Sequence, residues 1–155
     1  MSNNIPNPFN APLDGQPRLA VVTTEWNEKI TGALAQSCVE TLKARGVDPS
    51  DIETFTVPGA VELTFAASQL IETGQFDAVI VFGCVIRGGT PHFDYVCMSV
   101  TQGITALNAD CDTPVIFGVL TVDNEQQALD RLSKGPECAD TALKMIQFAQ
   151  QVKDM

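Results

Sequence analysis

Short runs of continuously apolar residues alternate along this chain with stretches in which apolar residues return every three or four positions. The alternation predicts β-strands and α-helices in turn. Leu19-Ala20-Val21-Val22 is the first run, and Ile30, Leu34, Cys38 and Leu42 follow at helical spacing with Gly46 as the stop. Ile52-Glu53-Thr54-Phe55-Thr56-Val57 alternates apolar and polar, the mark of an edge strand, and Pro58-Gly59 ends it before an Ala-rich helix from about Ala60 to Thr73.

Ala78-Val79-Ile80-Val81-Phe82 and Val115-Ile116-Phe117-Gly118-Val119-Leu120 are apolar almost throughout, as strands covered on both faces must be. Between them Val96, Val100, Ile104 and Leu107 mark a third helix, with Thr90 as N-cap and Pro91 at its first position. Asp123 with Gln126 resembles the cap of a fourth helix, and Gly135-Pro136 separates that from a last helix carrying Ala142, Met145, Ile146 and Ala149. The order β-α-β-α-β-α-β-α-α predicts a three-layer α/β/α domain of flavodoxin-like type, with a four-stranded parallel sheet and its ligands beyond the strand C-termini. Residues 1–17, with four prolines and no periodicity, read as an extended N-terminal arm, and residues 18–155 as one domain.

Composition narrows the classes of function. A chain of 155 residues can bury a core without disulfide or metal, and no apolar run approaches the ~20 residues that span a bilayer. The N-terminal residues have neither a basic stretch nor an apolar one of the secretory kind, so the expected compartment is the cytoplasm and no membrane is involved. A net charge of -10 disfavours nucleic acid as a partner, so an anionic ligand has to be met by local charge. The five cysteines contain no C-x-x-C pair and suggest no zinc site; most are expected to be small buried hydrophobes.

The candidate chemistry lies in the loops that follow the strands. In Arg87-Gly88-Gly89-Thr90-Pro91-His92 two glycines precede a helix start, which fits bare N–H groups approaching an anion and fits an ordinary tight turn equally well. His92, the only histidine, falls in the first turn of that helix, where an imidazole suits proton transfer as readily as a solvated structural role. Trp26, the only tryptophan, follows the first strand; it can stack on a heteroaromatic ligand, although spacing alone favours a core anchor for the first helix. Glu62, in the first turn of the second helix, can accept hydrogen bonds from ligand hydroxyls, and Arg131 and Lys134 sit where cations suit the end of the fourth helix.

Read together, these segments resemble the lumazine synthases. Val57-Pro58-Gly59-Ala60-Val61-Glu62-Leu63 is similar to the family's V-P-G-A-x-E-[LI] segment, and Gly83 to Tyr95 is similar to its G-x-x-I-[RK]-G-x-T-x-H-[FY]-[DE]-Y signature. Pro114 to Thr121, followed by Glu125 to Leu129 and Arg131, adds a third match, and Trp26-Asn27 fits an aromatic-Asn pair after the first strand. The resemblance implies a transferase of riboflavin biosynthesis that condenses 5-amino-6-(D-ribitylamino)uracil with 3,4-dihydroxy-2-butanone 4-phosphate to 6,7-dimethyl-8-ribityllumazine, releasing phosphate and water. It implies no metal and no cofactor.

By the same resemblance, Trp26 stacks on the pyrimidine, Asn27, Ala60, Val61 and Glu62 bind the ribityl chain, and Val85 and Ile86 line the ring pocket. Gly89 and Thr90 hold the butanone phosphate and His92 shuttles protons. Phe117, Arg131 and Lys134 reach in from an adjacent subunit, with Arg131 on the phosphate. A homo-oligomer of pentamers or their multiples is implied, with riboflavin synthase as a candidate partner. Val61 stands where an aromatic is common in the family, and the stretch from Arg131 to Lys134-Gly135 is shorter than usual.

Overall fold

The computed structural model describes residues 5–155. Its four strands are β1 (Leu19–Thr24), β2 (Ile52–Val57), β3 (Ala78–Ile86) and β4 (Val115–Val122). They form one parallel sheet in the order β2-β1-β3-β4. Helices α1 (Glu28–Ala44), α2 (Leu63–Glu72), α3 (His92–Asp110), α4 (Glu125–Leu129) and α5 (Lys134–Lys153) complete the three layers that the alternation predicts.

The period of two along the strands divides the core. Leu19, Val21, Ile80, Phe82 and Ile116 face the layer of α1 and α5, where they meet Leu34, Cys38, Ala139 and Leu143. Ala20, Val22, Val79, Val81 and Val119 face α2 and α3, against Leu63, Ala67, Val100 and Ile104. Both faces of β1 and β3 are therefore covered, which is why their sequences show unbroken apolar runs and not alternation. β2 lies at the edge, as its alternating pattern predicts, and its polar Glu53, Thr54 and Thr56 stay accessible.

The helix ends match the sequence signals to different degrees. At the end of α1, Gly46 has φ +102, its N–H donates to the Lys43 carbonyl, and the Val47 N–H donates to the Leu42 carbonyl. That pair of bonds with a left-handed glycine is a Schellman stop. The second helix starts later than expected, because Ala60–Glu62 form a 3-10 turn ahead of α2. The cap of α4 is one residue off: Asn124 accepts from the Gln127 N–H at 2.9 Å, and the Gln127 side chain accepts from the Asp123 N–H at 2.7 Å. Asp123 is thereby freed for another partner.

Gly135 and Pro136 do not separate two helices; they lie in the first turn of α5. Proline is tolerated there because its missing N–H would have no intrahelical partner. The glycine answers to packing, since a Cβ at position 135 would come within 2.1 Å of Ser37 Oγ and 2.5 Å of the Leu34 carbonyl oxygen on α1. A backbone atom cannot swing aside, so Gly135→Ala should cost about 1–3 kcal/mol by forcing α5 off α1. Thermal unfolding of the variant should show a clear fall in Tm, and an unchanged Tm would mean that the two helices part without cost.

The described part of the N-terminal arm has no helix or strand, yet it is laid on its own subunit. Phe9 is 6% exposed within the same cluster as Leu143, and the Lys144 ammonium donates to the Asn7 carbonyl. Residues 1–4 of the expected arm lie outside the described residues. Among the described residues no helix is long and apolar enough to cross a membrane.

Candidate active site

Three of the four strand-end loops converge on one cavity of about 430 Å³ beyond the C-termini of β1, β2 and β3. Trp26 and Asn27 enter it from the first loop, Ala60, Val61 and Glu62 from the second, and Val85, Ile86, Thr90 and His92 from β3 and the start of α3. Cys84 and Phe93, which the sequence did not single out, line it as well.

Each wall has a local cause. Main-chain bonds from Glu25 N–H to the Val57 carbonyl (2.8 Å) and from Trp26 N–H to the Pro58 carbonyl (3.0 Å) join the first two loops. Trp26 is 74% exposed, so the indole is not the core anchor that its spacing favours; it stands free at the cavity mouth. Asn27 has φ 59, a left-handed conformation that asparagine tolerates better than most residues. Its carbonyl receives the first N–H groups of α1, and its side-chain amide donates to the Cys84 carbonyl at 2.8 Å, which pins the loop to β3.

Glu62 closes the 3-10 turn, with its carboxylate oxygen 3.2 Å from where a Cβ on Gly59 would be. A side chain at position 59 would force that carboxylate to shift by a few tenths of an ångström. Gly88 and Gly89 have neither a left-handed φ nor any atom near their missing Cβ positions. The subunit's own packing therefore makes no demand for glycine in this loop, and the tight-turn reading loses its reason. What the glycines leave is open space over bare N–H groups at the head of a 19-residue helix. The helix begins one residue later than expected, at His92, with Pro91 and not Thr90 in the cap position and no side-chain cap; the Thr90 hydroxyl makes only a long contact of 3.4 Å with the His92 N–H.

Burial governs the thiols. Cys84, in the cavity wall, is pushed up to about 11 by desolvation, with a smaller contribution from the Glu125 charge, and Cys138 is pushed up to about 12 by burial. Cys38 is raised further, also chiefly by burial. These three are buried and protonated at neutral pH, whereas Cys97 and Cys111 are half-buried, so the expectation of small buried hydrophobes holds for the majority.

The remaining predicted residues lie elsewhere. Phe117 and Lys134 line a separate cleft of about 680 Å³ between the free edge of β4, the end of α3 and α5, where Met145, Phe148 and Val152 are exposed. Gly89 does not face the first cavity directly but sits between two residues that do. Arg131 belongs to neither lining; its Nη1 donates to the Gln127 carbonyl at 2.7 Å, and no carboxylate pairs with it among the described residues. The first cavity thus has a carboxylate and an imidazole in its lining but neither lysine nor arginine.

A doubly wound parallel sheet whose strand-end loops build an aromatic-fronted cavity with a helix N-terminus and one histidine is an α/β fold arranged for a small-molecule ligand. The family model for 6,7-dimethyl-8-ribityllumazine synthase matches residues 16–150. A 6,7-dimethyl-8-ribityllumazine synthase of Phocaeicola vulgatus is 47% identical, over 97% of this chain and 89% of the relative. Those of Bacteroides fragilis and Parabacteroides distasonis are 52% and 50% identical over 84% and 91% of this chain, and over 95% and 92% of their own lengths. The chain belongs to the 6,7-dimethyl-8-ribityllumazine synthase family.

Proposed function

We propose that the cavity beyond β1, β2 and β3 is a condensation site completed by an adjacent copy of the chain. The enzyme is a transferase of riboflavin biosynthesis: it joins 5-amino-6-(D-ribitylamino)uracil to 3,4-dihydroxy-2-butanone 4-phosphate and releases 6,7-dimethyl-8-ribityllumazine, phosphate and water. The observation that carries the shared site is the cavity's lack of a cation. Helix N–H groups alone leave the charge of a phosphate ester beside Glu62 without a cationic partner, and a guanidinium would pair it through charge-assisted hydrogen bonds.

Arg131 of the neighbour, with no carboxylate of its own, supplies the missing charge, and Phe117 and Lys134 come with it from the free edge of β4. A head-to-tail contact of this kind closes into a ring when its rotation allows, here the ring of five expected of the family, acting in the cytoplasm. Further packing into multiples of the ring, and an association with riboflavin synthase, belong to the same reading.

The chemistry asks mainly for register. The pyrimidine's 5-amino group attacks the ketone and water leaves as the imine forms; loss of the C3 proton and of the C4 phosphate then leaves an enol that tautomerises to a ketone at C3, which the ribitylamino nitrogen attacks, and loss of a second water completes the ring. Trp26 and the Val85–Ile86 wall hold the pyrimidine plane, while Asn27 and the Ala60–Glu62 turn hold the ribityl hydroxyls. Gly89 and Thr90 hold the phosphate against Arg131. Such positioning can contribute on the order of 7–11 kcal/mol at most, and one proton shuttle a further 10²–10⁴-fold, as rough figures.

Incubating the purified protein with both substrates should produce the lumazine absorbance, and a protein that binds a flavin yet makes no lumazine would be a carrier instead. His92→Ala should lower kcat by roughly 10- to 100-fold without abolishing turnover, because proximity survives the loss of the shuttle. An unchanged kcat would make His92 structural.

A further inference from the structure

Arg87 lies immediately before the Gly88–Thr90 loop, and its guanidinium has three partners. Its Nε donates to Asp123 Oδ1 at 2.8 Å, its Nη1 lies 3.7 Å from Asp94 Oδ1, and its carbon stands 4.4 Å from the centre of the Phe93 ring, a wall of the cavity. Its own N–H donates to the Val122 carbonyl at 2.8 Å, so main chain and side chain both tie the β3 loop to the end of β4.

From Asp123 the bonding continues. The Asp123 N–H donates to the Gln127 side chain at 2.7 Å, the Gln127 N–H donates to Asn124 Oδ1 at 2.9 Å, and the Gln127 carbonyl accepts from Arg131 Nη1 at 2.7 Å. Relayed through the main chains of Asp123 and Gln127, these hydrogen bonds connect the loop of a subunit's own cavity to the guanidinium that, on the reading above, the adjacent cavity uses. They join two strand ends, the short helix α4 and the turn that follows it, so a shift at Arg87 is passed on to Arg131.

We propose that Arg87 is a positioning residue serving two cavities at once: it holds its own Gly88–Thr90 loop and, through Asp123 and Gln127, sets the orientation of Arg131 for the neighbour. A surface ion pair adds little to stability, and Arg87, Asp94 and Asp123 are all about half exposed or more, so the arrangement is not explained as a stabilising device. Its value is geometric, since a fork that donates from Nε while stacking on Phe93 cannot be copied by a lysine.

The inference rests on Arg131 meeting the phosphate, and a double-mutant cycle separates the two. In the intact oligomer, Asp123→Ala should raise the KM for butanone phosphate by roughly threefold or more, the range of coupling within one hydrogen-bond network, and leave the pyrimidine KM unchanged. In an Arg131→Ala background the same substitution should have no further effect. Arg87→Ala should resemble Asp123→Ala and add a loop contribution that survives in the Arg131→Ala background, with Arg87→Lys restoring only part of it. Equal effects of Asp123→Ala in both backgrounds, or none in either, would overturn the coupling while leaving the shared site standing. An Arg131→Ala enzyme with an unchanged phosphate KM would remove the shared site and this inference with it.

Discussion

Arg131→Ala should raise the KM for butanone phosphate by roughly 10- to 100-fold, the equivalent of losing a charge-assisted hydrogen-bond pair of about 1.5–3 kcal/mol. The reason is electrostatic. Among the described residues Arg18, Lys29, Arg45 and Arg87 are matched with carboxylates, whereas Arg131 is matched only with the carbonyl of Gln127. Its charge is available to a ligand, and a planar fork can hold two phosphate oxygens where an ammonium holds one at a time. Binding of the pyrimidine, which depends on the Trp26 side of the cavity, should be nearly intact. Steady-state kinetics with each substrate varied in turn decides the matter, because equal weakening of both would mean general damage to the subunit.

The second large effect is a recovery. His92→Ala and Arg131→Glu each remove one component of the proposed site, and each homogeneous oligomer should be severely impaired. Mixed at equal ratio by dissociation and reassembly, the two should restore both components in about a quarter of the cavities, since each cavity draws His92 from one subunit and Arg131 from the next in a closed ring. Activity should then rise well above the mean of the parents. Recovery requires that the two residues come from different chains. If rings shown to be mixed gain nothing, His92 and Arg131 do not meet across an interface, and the cavity must find its cation within one subunit. Light scattering of the wild-type protein gives the accompanying test, with the ring of five as the smallest expected species.

Stability has one pH-sensitive link near this region. The Asp123 carboxyl is held below its ordinary range, first by the hydrogen bond from Arg87 and then by the Arg87 charge. A depressed carboxylate favours the folded loop above its ordinary titration range and loses that preference as pH falls through the depressed value. The tie between the β3 loop and α4 is therefore intact at neutral pH and released only in acid.

Much of this protein was legible in one dimension because the relevant forces are local or periodic. Two-sided burial forces unbroken apolar runs on β1, β3 and β4, and a left-handed stop after α1 calls for a glycine at 46, so strands, helices and their order follow from residue pattern alone. The loops at one sheet edge were legible for the same reason: in a doubly wound parallel sheet the ends of the strands determine which loops meet, and Trp26, Glu62, Thr90 and His92 lie in those loops. Tertiary packing decided the rest. Gly135 reads as a helix breaker in the sequence, yet it is required by the approach of α5 to α1, a contact about a hundred residues apart that no local pattern announces. Asp123 reads as a helix cap, yet Asn124 takes that place and Asp123 turns to Arg87, because a charged partner from the neighbouring strand end outbids a cap that the next residue can supply. Trp26 reads as a core anchor by spacing, but both sheet faces near it are already filled by aliphatic side chains from α1 and α2, and the indole is left outside at the cavity mouth. The separation of Arg131 and Phe117 from the first cavity is likewise a property of three dimensions, since it depends on β4 lying at the far edge of the sheet from β2, and only strand order, not strand sequence, determines that.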